Sequence, residues 1–308
     1  MHADRLQLAP IGVWTGALDF APAGQVGELA GELEDLGYGA VWLPEVAGRD
    51  PMVQLTMILS ATSRLVGATG IANIFARDAV AMAGSVKALT EAFPERALIG
   101  LGCSHRHLVQ DLRGHAYARP LSAMRDYLEA MERSPYSAYR PTTPTRLVLA
   151  ALRPRMLALA AERTDGAHTY FVTPEHTRRA RALLGDGLLC VDQAVLLETD
   201  PAVAREIARA HTSTYAGLPN YMGNLIWLGF SEDDCADGGS DRLVDSIVAW
   251  GDEQAVLSRI QEHFEAGADH VCIQPLVAGR REIPVGAWRS LAAPLRELGA
   301  TVSRPEPG

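Results

Sequence analysis

The chain repeats one pattern: a short apolar run, then small or polar residues, then an amphipathic helix. The runs are Ile11–Trp14, Ala40–Leu43, Leu65–Ile71, Ala97–Leu101, Leu147–Ala150, Gly166–Tyr170, Leu188–Leu197 and His270–Pro275. Each is too short and too evenly apolar for a helix, and suits a strand covered on both faces. Strands alternating with helices call for a parallel sheet, and eight of them suit a closed (β/α)8 barrel better than an open sheet. Such barrels keep their chemistry on the loops after the strands. The strand ends to watch are therefore Trp14-Thr15, Pro44-Glu45, Ala72-Asn73, Cys103-Ser104-His105, Ala151-Leu152-Arg153, Tyr170-Phe171, Glu198-Thr199 and Leu276.

The intervening helices read as Gly24–Leu36, closed by Gly37, then Pro51–Thr62, Ala79–Ala92, Leu121–Arg133, Arg155–Thr164, Pro174–Leu184, Pro201–Tyr215 and Glu253–Ala266. The proline-rich stretch Ser134–Pro144 is a loop, because the barrel rhythm resumes directly after it. Gly217 to Gly251 is longer than an ordinary connection and reads as a lid or interface excursion within a single domain spanning residues 1–308. Its aromatics, with Tyr215, Tyr221, Trp227 and Phe230, are placed to cover a substrate.

Composition narrows the function classes. A net charge of −9 argues against nucleic acid and anionic membrane as partners, since neutralising phosphate needs clustered cations. Arg178, Arg179 and Arg181 share a helix with an apolar face and read as a solvated surface. No stretch holds the ~20 apolar residues of a membrane span. Cys103, Cys190, Cys235 and Cys272 are too scattered for a CxxC pair and read as free thiols, which suits a cytoplasmic protein.

Several constellations compete for the chemistry. His105-Arg106-His107 has the spacing of a metal-binding pair but falls in a loop after the fourth strand, without partner ligands. Asp233-Asp234-Cys235-Ala236-Asp237-Gly238 lacks the acid spacing and closing Glu of a calcium loop. Gly100-Leu101-Gly102 lacks the third glycine of a dinucleotide fingerprint. Cys103 with His105 or His107 leaves a thiol nucleophile open.

Taken in order and spacing, the segments Leu65–Asn73 with Arg77 and Ala79, Ala97–Gly102, Ala160–Gly166 and Gly251-Asp252-Glu253 resemble the bacterial luciferase-like monooxygenase superfamily. The resemblance extends from Ile11 to about Pro275 and favours the branch that uses coenzyme F420. It implies a hydride transfer between the deazaflavin C5 and a small organic substrate, in a homodimer that exchanges cofactor with an F420-reducing or F420-recycling enzyme. It also implies a bulge with a non-prolyl cis peptide behind the ring at Gly70-Ile71, followed by Ala72. Cys103 and Ser104 would then line the ring edge. Ala150, Ala151, Leu152 and Arg153 would surround the ribityl and phosphate together with Gly166, Ala167, His168 and Thr169. Trp14, Asn73 and Tyr221 would face substrate.

At the catalytic positions the chain departs from the sugar-phosphate dehydrogenase of that branch. The family's histidine after strand two and glutamate after strand four appear exchanged, as Glu45 and His105. Both keep a titratable pair beside the ring. Glu45 has a structural alternative as a helix-start carboxylate paired with Arg49, and His105 as a solvated loop histidine. Three rival functions remain at this level. They are an FMN-dependent monooxygenase fed by a separate reductase, a non-catalytic barrel binding a flavin-like ligand, and a metal-dependent hydrolase.

Overall fold

A computed structural model describes residue 6, residues 8–279 and residues 281–302. In chain order the strands are β1 (Ile11–Trp14), β2 (Ala40–Leu43), β3 (Val66–Asn73), β4 (Ala97–Gly102), β5 (Arg146–Ala150), β6 (Gly166–Thr169), β7 (Leu188–Leu197), β8 (Val248–Gly251) and β9 (His270–Pro275). The helices are α1 (Ala23–Leu36), α2 (Pro51–Ala61), α3 (Ala79–Ala92), α4 (Pro120–Arg133), α5 (Pro154–Arg163) and α6 (Pro174–Leu184). They continue with α7 (Pro201–Tyr215), α8 (Pro219–Leu228), α9 (Glu232–Cys235), α10 (Asp241–Ile247), α11 (Glu253–Glu265) and α12 (Val285–Val302).

All strand pairs are parallel, and β1 to β7 with β9 close into an eight-stranded barrel through the β6–β7, β7–β9 and β9–β1 pairings. The helices start where the sequence supplies caps. Asp50, Asp78 and Asp200 each accept from two backbone N–H groups of the turn they open, and proline occupies the first turn of α2 and α7.

Two features exceed the pattern read from the sequence. β8 lies inside the excursion and pairs only with Ala194–Leu197, the upper half of β7. Because β9 occupies the other edge of β7 up to Val195, β8 continues the edge that β6 covers below. Four residues paired to half a strand leave no barrel-strand signature. The second feature is α12, which packs on α1 and α11 and closes the helical ring after the last strand. Trp288, Leu291 and Leu295 are its buried stripe.

β3 is the irregular strand. Its register against β4 shifts between Thr69 and Ala72, and the Gly70–Ile71 peptide is cis. Ala72 and Asn73, expected in a loop, resume the strand opposite Leu101 and Gly102 because the bulge re-enters the ladder.

The inward residues stack in layers. Strand tilt in such a barrel moves a residue of equal height one position along each successive strand. The registers then place Trp14, Gly70, Ala150 and Asp192 in one layer. Beneath it lie Trp42, Gly100, His168 and Cys272, and there Trp42 stacks on His168 with ring centroids 4.5 Å apart. Above it come Gly102, Tyr170 and Gln274, with the Tyr170 hydroxyl 3.0 Å from Gln274 Oε1. Outside the strands, Val13, Val41, Ile99 and Leu149 pack on the helices as the main core.

Candidate active site at the barrel mouth

The wall made by β3, β4 and β5 is nearly bare at its upper end. Gly70, Gly102 and Ala150 present at most a methyl group to the interior, and crowding enforces this at the glycines. A Cβ on Gly70 would lie 2.7 Å from Trp14 Nε1 and 2.9 Å from His168 Nε2, and one on Gly102 would lie 2.5 Å from Ile71 Cγ1. Trp14 extends into the space and donates from Nε1 to the Gly70 carbonyl at 2.8 Å. Its ring also meets Tyr170 at 5.2 Å.

The opposite side of the mouth is aromatic. Tyr221 on α8 sits 5.5 Å from the ring of His105, 6.3 Å from Tyr170 and 5.3 Å from Tyr215. Helix α8 therefore bridges from the β4 loop to the end of β6. Its Gly223 lies beneath Arg153, whose Nη1 would be 3.1 Å from a Cβ there. Arg179 on α6 holds its far end through the Trp227 carbonyl at 2.8 Å. The first helix of the excursion thus meets the mouth, and the aromatics divide. Tyr215 and Tyr221 enter the mouth, whereas Trp227 packs on His176 and Arg179 and Phe230 packs under Arg242. Two open clefts lie elsewhere, one of about 550 Å³ between Glu198, Thr199 and Asp252 and one of about 320 Å³ beside Glu175 and Arg242.

Glu45 stands with its carboxylate fully engaged. Oε2 accepts from Asn73 N at 2.7 Å and Arg77 Nη1 at 3.0 Å, and Oε1 from Arg77 Nη2 at 2.6 Å. Its side chain is only 8% exposed. Its partner is thus Arg77 and not Arg49, which donates instead to the Leu18 and Ala21 carbonyls. Glu45 and Arg77 form a largely buried bidentate ion pair. His105 has a hydrogen bond to Asn220 in place of an ion pair: its ring lies between His107 and Tyr221, and burial is the main cause holding its pKa below the usual histidine value.

The remaining expected residues separate into those at the mouth and those away from it. Ile71, Ala150 and His168 gather around the bare wall, whereas Cys103 packs against the outer core and Ser104 turns toward Tyr117. Ser104 adopts φ 55°, and its carbonyl accepts from the Tyr117 hydroxyl at 3.1 Å. Burial pushes the Cys103 thiol up to about 12, and Sγ donates to the Pro120 carbonyl at 3.3 Å, an environment that opposes a thiolate nucleophile. Ala151 lies behind the wall, 2% exposed, and Leu152 turns its carbonyl to His176 Nε2 at 2.6 Å. Asn73 spends its Oδ1 on Phe75 N at 2.9 Å, and so acts as a turn residue.

Gly166 and Ala167 do not reach the mouth. β6 runs upward from Gly166, so both lie in the lower barrel. A Cβ on Gly166 would be 1.9 Å from the Leu188 carbonyl, which explains the glycine without any ligand. Ala167 points out into the core, and so does Thr169 by its parity with Ala167 along the strand.

Three polar groups at the mouth were not among the expected site residues: Asp192, Asn224 and Gln274, the last of which meets Tyr170. Among the described residues, Asp192 Oδ1 and both amide atoms of Asn224 are buried without a hydrogen-bond partner. Asp192 carried a visible signal, the lone acid in the ten-residue apolar run Leu188–Leu197. Asn224 carried none, being one polar residue in a mixed helix. A bare wall with orphaned polar atoms around it fits a flat, hydrogen-bonding ring. Metal fits less well, since no group of three or more His, Cys, Asp or Glu among the described residues converges on one point.

Comparison with known proteins agrees with this geometry. A Mycobacterium tuberculosis protein named as a putative coenzyme F420-dependent oxidoreductase is 23% identical across 88% of this chain and 96% of its own length. A solved F420-dependent secondary alcohol dehydrogenase, in complex with an F420–acetone adduct, superposes with a TM-score of 0.72 at 14% identity, over 93% of this chain and 98% of that one. The FMN-bound oxygenating constituent of 3,6-diketocamphane monooxygenase from Pseudomonas putida superposes with a TM-score of 0.70 at 14% identity, over 96% and 100%. The profile of the luciferase-like monooxygenase family matches residues 6–270, and the chain belongs to that family of enzymes.

Proposed function

We propose that the protein is a coenzyme F420-dependent oxidoreductase that transfers a hydride between the deazaflavin C5 and a small organic substrate. The observation that carries this reading is the Gly70–Ile71 bulge held by Trp14, at the position where the resemblance to F420 enzymes requires a support for the ring. The M. tuberculosis relative, named for F420, and the solved alcohol dehydrogenase with its F420–acetone adduct support it. Gly70, Ile71 and His168 would hold the ring. Ala150 to Arg153 would surround the ribityl and phosphate, under Asn224. The bound deazaflavin supplies the hydride. Trp14 fixes the bulge, α8 excludes water, and Glu45 holds the β3–α3 loop through Arg77 and Asn73. His105 can exchange a proton at the rim without breaking an ion pair.

An FMN monooxygenase is the second reading, favoured by the FMN-bound structural relative. Paired fluorescence titrations with coenzyme F420 and FMN decide between them. Tight F420 binding with weak FMN binding is the expected result, and the reverse would overturn the reading. The homodimer, the cytoplasmic location and the cofactor-recycling partner are part of the same proposal. Among the described residues no helix is long and apolar enough to cross a membrane.

A further inference from the structure

Asp192 is out of place for a structural residue. It points into the barrel from β7, 2% exposed, with Oδ1 buried and unpartnered. In its layer it stands opposite Gly70, because β7 and β3 lie four strands apart in a barrel of eight. A ring resting on the Gly70 bulge would therefore have Asp192 on the far side of the space it faces. The titratable groups acting on Asp192 are Tyr170 from β6, Tyr215 from α7, Tyr221 from α8 and Cys272 from β9. None is a cation, so no ion pair accounts for the carboxyl, and burial pushes it well above the usual carboxylate range. A neutral carboxyl both donates and accepts, and so do the hydroxyls of Tyr170 and Tyr215, which share a hydrogen bond of 2.9 Å above it. This surface carries no cation to balance an anionic group, and its donors match an uncharged oxygen.

We infer that Asp192 is the proton-carrying group of the reaction and that the substrate is an uncharged ketone or aldehyde, or the corresponding alcohol in reverse. The role rests on the hydride-transfer reading above. As a hydride from the reduced deazaflavin forms the new C–H bond, the carbonyl π bond breaks and its electron pair moves to oxygen. The Asp192 O–H bond breaks and its proton goes to that oxygen. The carbonyl is reduced to an alcohol, the deazaflavin is oxidised, and Asp192 is left as a carboxylate to be reprotonated from solvent. His105 at the rim lies on the solvent side of Tyr221 and leaves the deep end to Asp192.

The test uses the full chain, Asp192→Asn and Asp192→Glu, with folding checked by circular dichroism and F420 affinity by fluorescence titration. Infrared difference spectra at neutral pH are expected to show a protonated-carboxyl band in the wild type that Asp192→Asn lacks. With reduced F420, reduction of cyclohexanone should fall by about 10²-fold or more in Asp192→Asn. Hydride transfer to 1-methylnicotinamide, a pyridinium that accepts hydride without a proton, should stay within a few-fold. Asp192→Glu should restore part of the ketone reaction. An unchanged infrared band, ketone reduction that survives in Asp192→Asn, or equal loss on both acceptors would overturn the role. A wild type inert toward cyclohexanone would overturn the carbonyl assignment. A wild type that binds no F420 would instead remove the cofactor reading, and with it the role, while the infrared band still reports the proton.

Discussion

The indole of Trp14 donates its only proton to the carbonyl of Gly70 across the barrel interior, at 2.8 Å. The first strand thereby holds the irregular point of the third, fifty-six residues away in sequence. Trp14→Phe keeps the ring and removes the donor, leaving a confined carbonyl without its partner, a loss of about 1–3 kcal/mol. If that carbonyl shapes the ring's support, F420 affinity should weaken roughly tenfold. Titration of the variant beside the wild type checks this, and unchanged affinity would separate Trp14 from the cofactor.

Gly70→Ala asks the same question from the other side. The new methyl would fall within 2.7–2.9 Å of Trp14, which is tied to the Gly70 carbonyl, and His168, which is stacked on Trp42, so neither swings away easily. Overpacking of this kind costs about 1–3 kcal/mol. Gly84→Ala, in the middle of α3 with open space around its Cβ, is the control and should be neutral or mildly stabilising. Urea melts of the two variants should move in opposite directions. Only Gly70→Ala should lose F420 binding.

Barrel-strand and most helix positions were legible in the sequence because they rest on local chemistry, apolar runs and turn residues, whereas the bulge came only from the resemblance, since Gly70 by itself reads as a glycine that ends a strand. The site was legible only in part, because it depends on what meets across the barrel. Glu45 lies close in sequence to Arg49, yet the chain folds so that Arg77 reaches it first, from the loop after a neighbouring strand. Gly166 looked like a ligand-facing glycine, but the backbone of Leu188 beside it needs the space. Asp192 was readable as an interruption in an apolar run. Its meaning came only from the layer that sets it opposite Gly70.

The Glu45–Arg77 pair yields a prediction of energetic coupling. Both side chains are nearly buried, 8% and 11% exposed, so removing one partner strands the other. Arg77→Met alone should destabilise by about 3–5 kcal/mol, and Glu45→Gln should cost less because its amide can still serve part of the network. The double variant should cost less than the sum. A double-mutant cycle measured by urea denaturation would reveal this coupling. Additive losses would show that the two side chains do not act as a pair.

The last prediction concerns acid. Burial holds the pKa of His168 and His263 down to about 3 and that of His176, His211 and His270 to about 4, from an ordinary 6.5. His270 shows how. Its Nε2 accepts from Trp42 Nε1 at 3.0 Å, so Nδ1 carries the proton and donates to the Ala9 carbonyl at 2.6 Å. A second proton would turn Nε2 into a donor facing a donor. The folded state therefore keeps these rings neutral where the unfolded chain protonates them. Their folded values lie below their unfolded ones, so the stability they confer is complete above about pH 6.5 and drains away as pH falls toward 4. Each ring contributes a slope of up to about 1.4 kcal/mol per pH unit in that window. His270→Gln, which keeps an acceptor for Trp42 and cannot titrate, should flatten the curve of unfolding free energy against pH by about one proton. Denaturation series across the window measure that slope directly. If the variant and the wild type run parallel, His270 binds the same number of protons folded and unfolded, and its contacts with Trp42 and Ala9 do not hold it neutral.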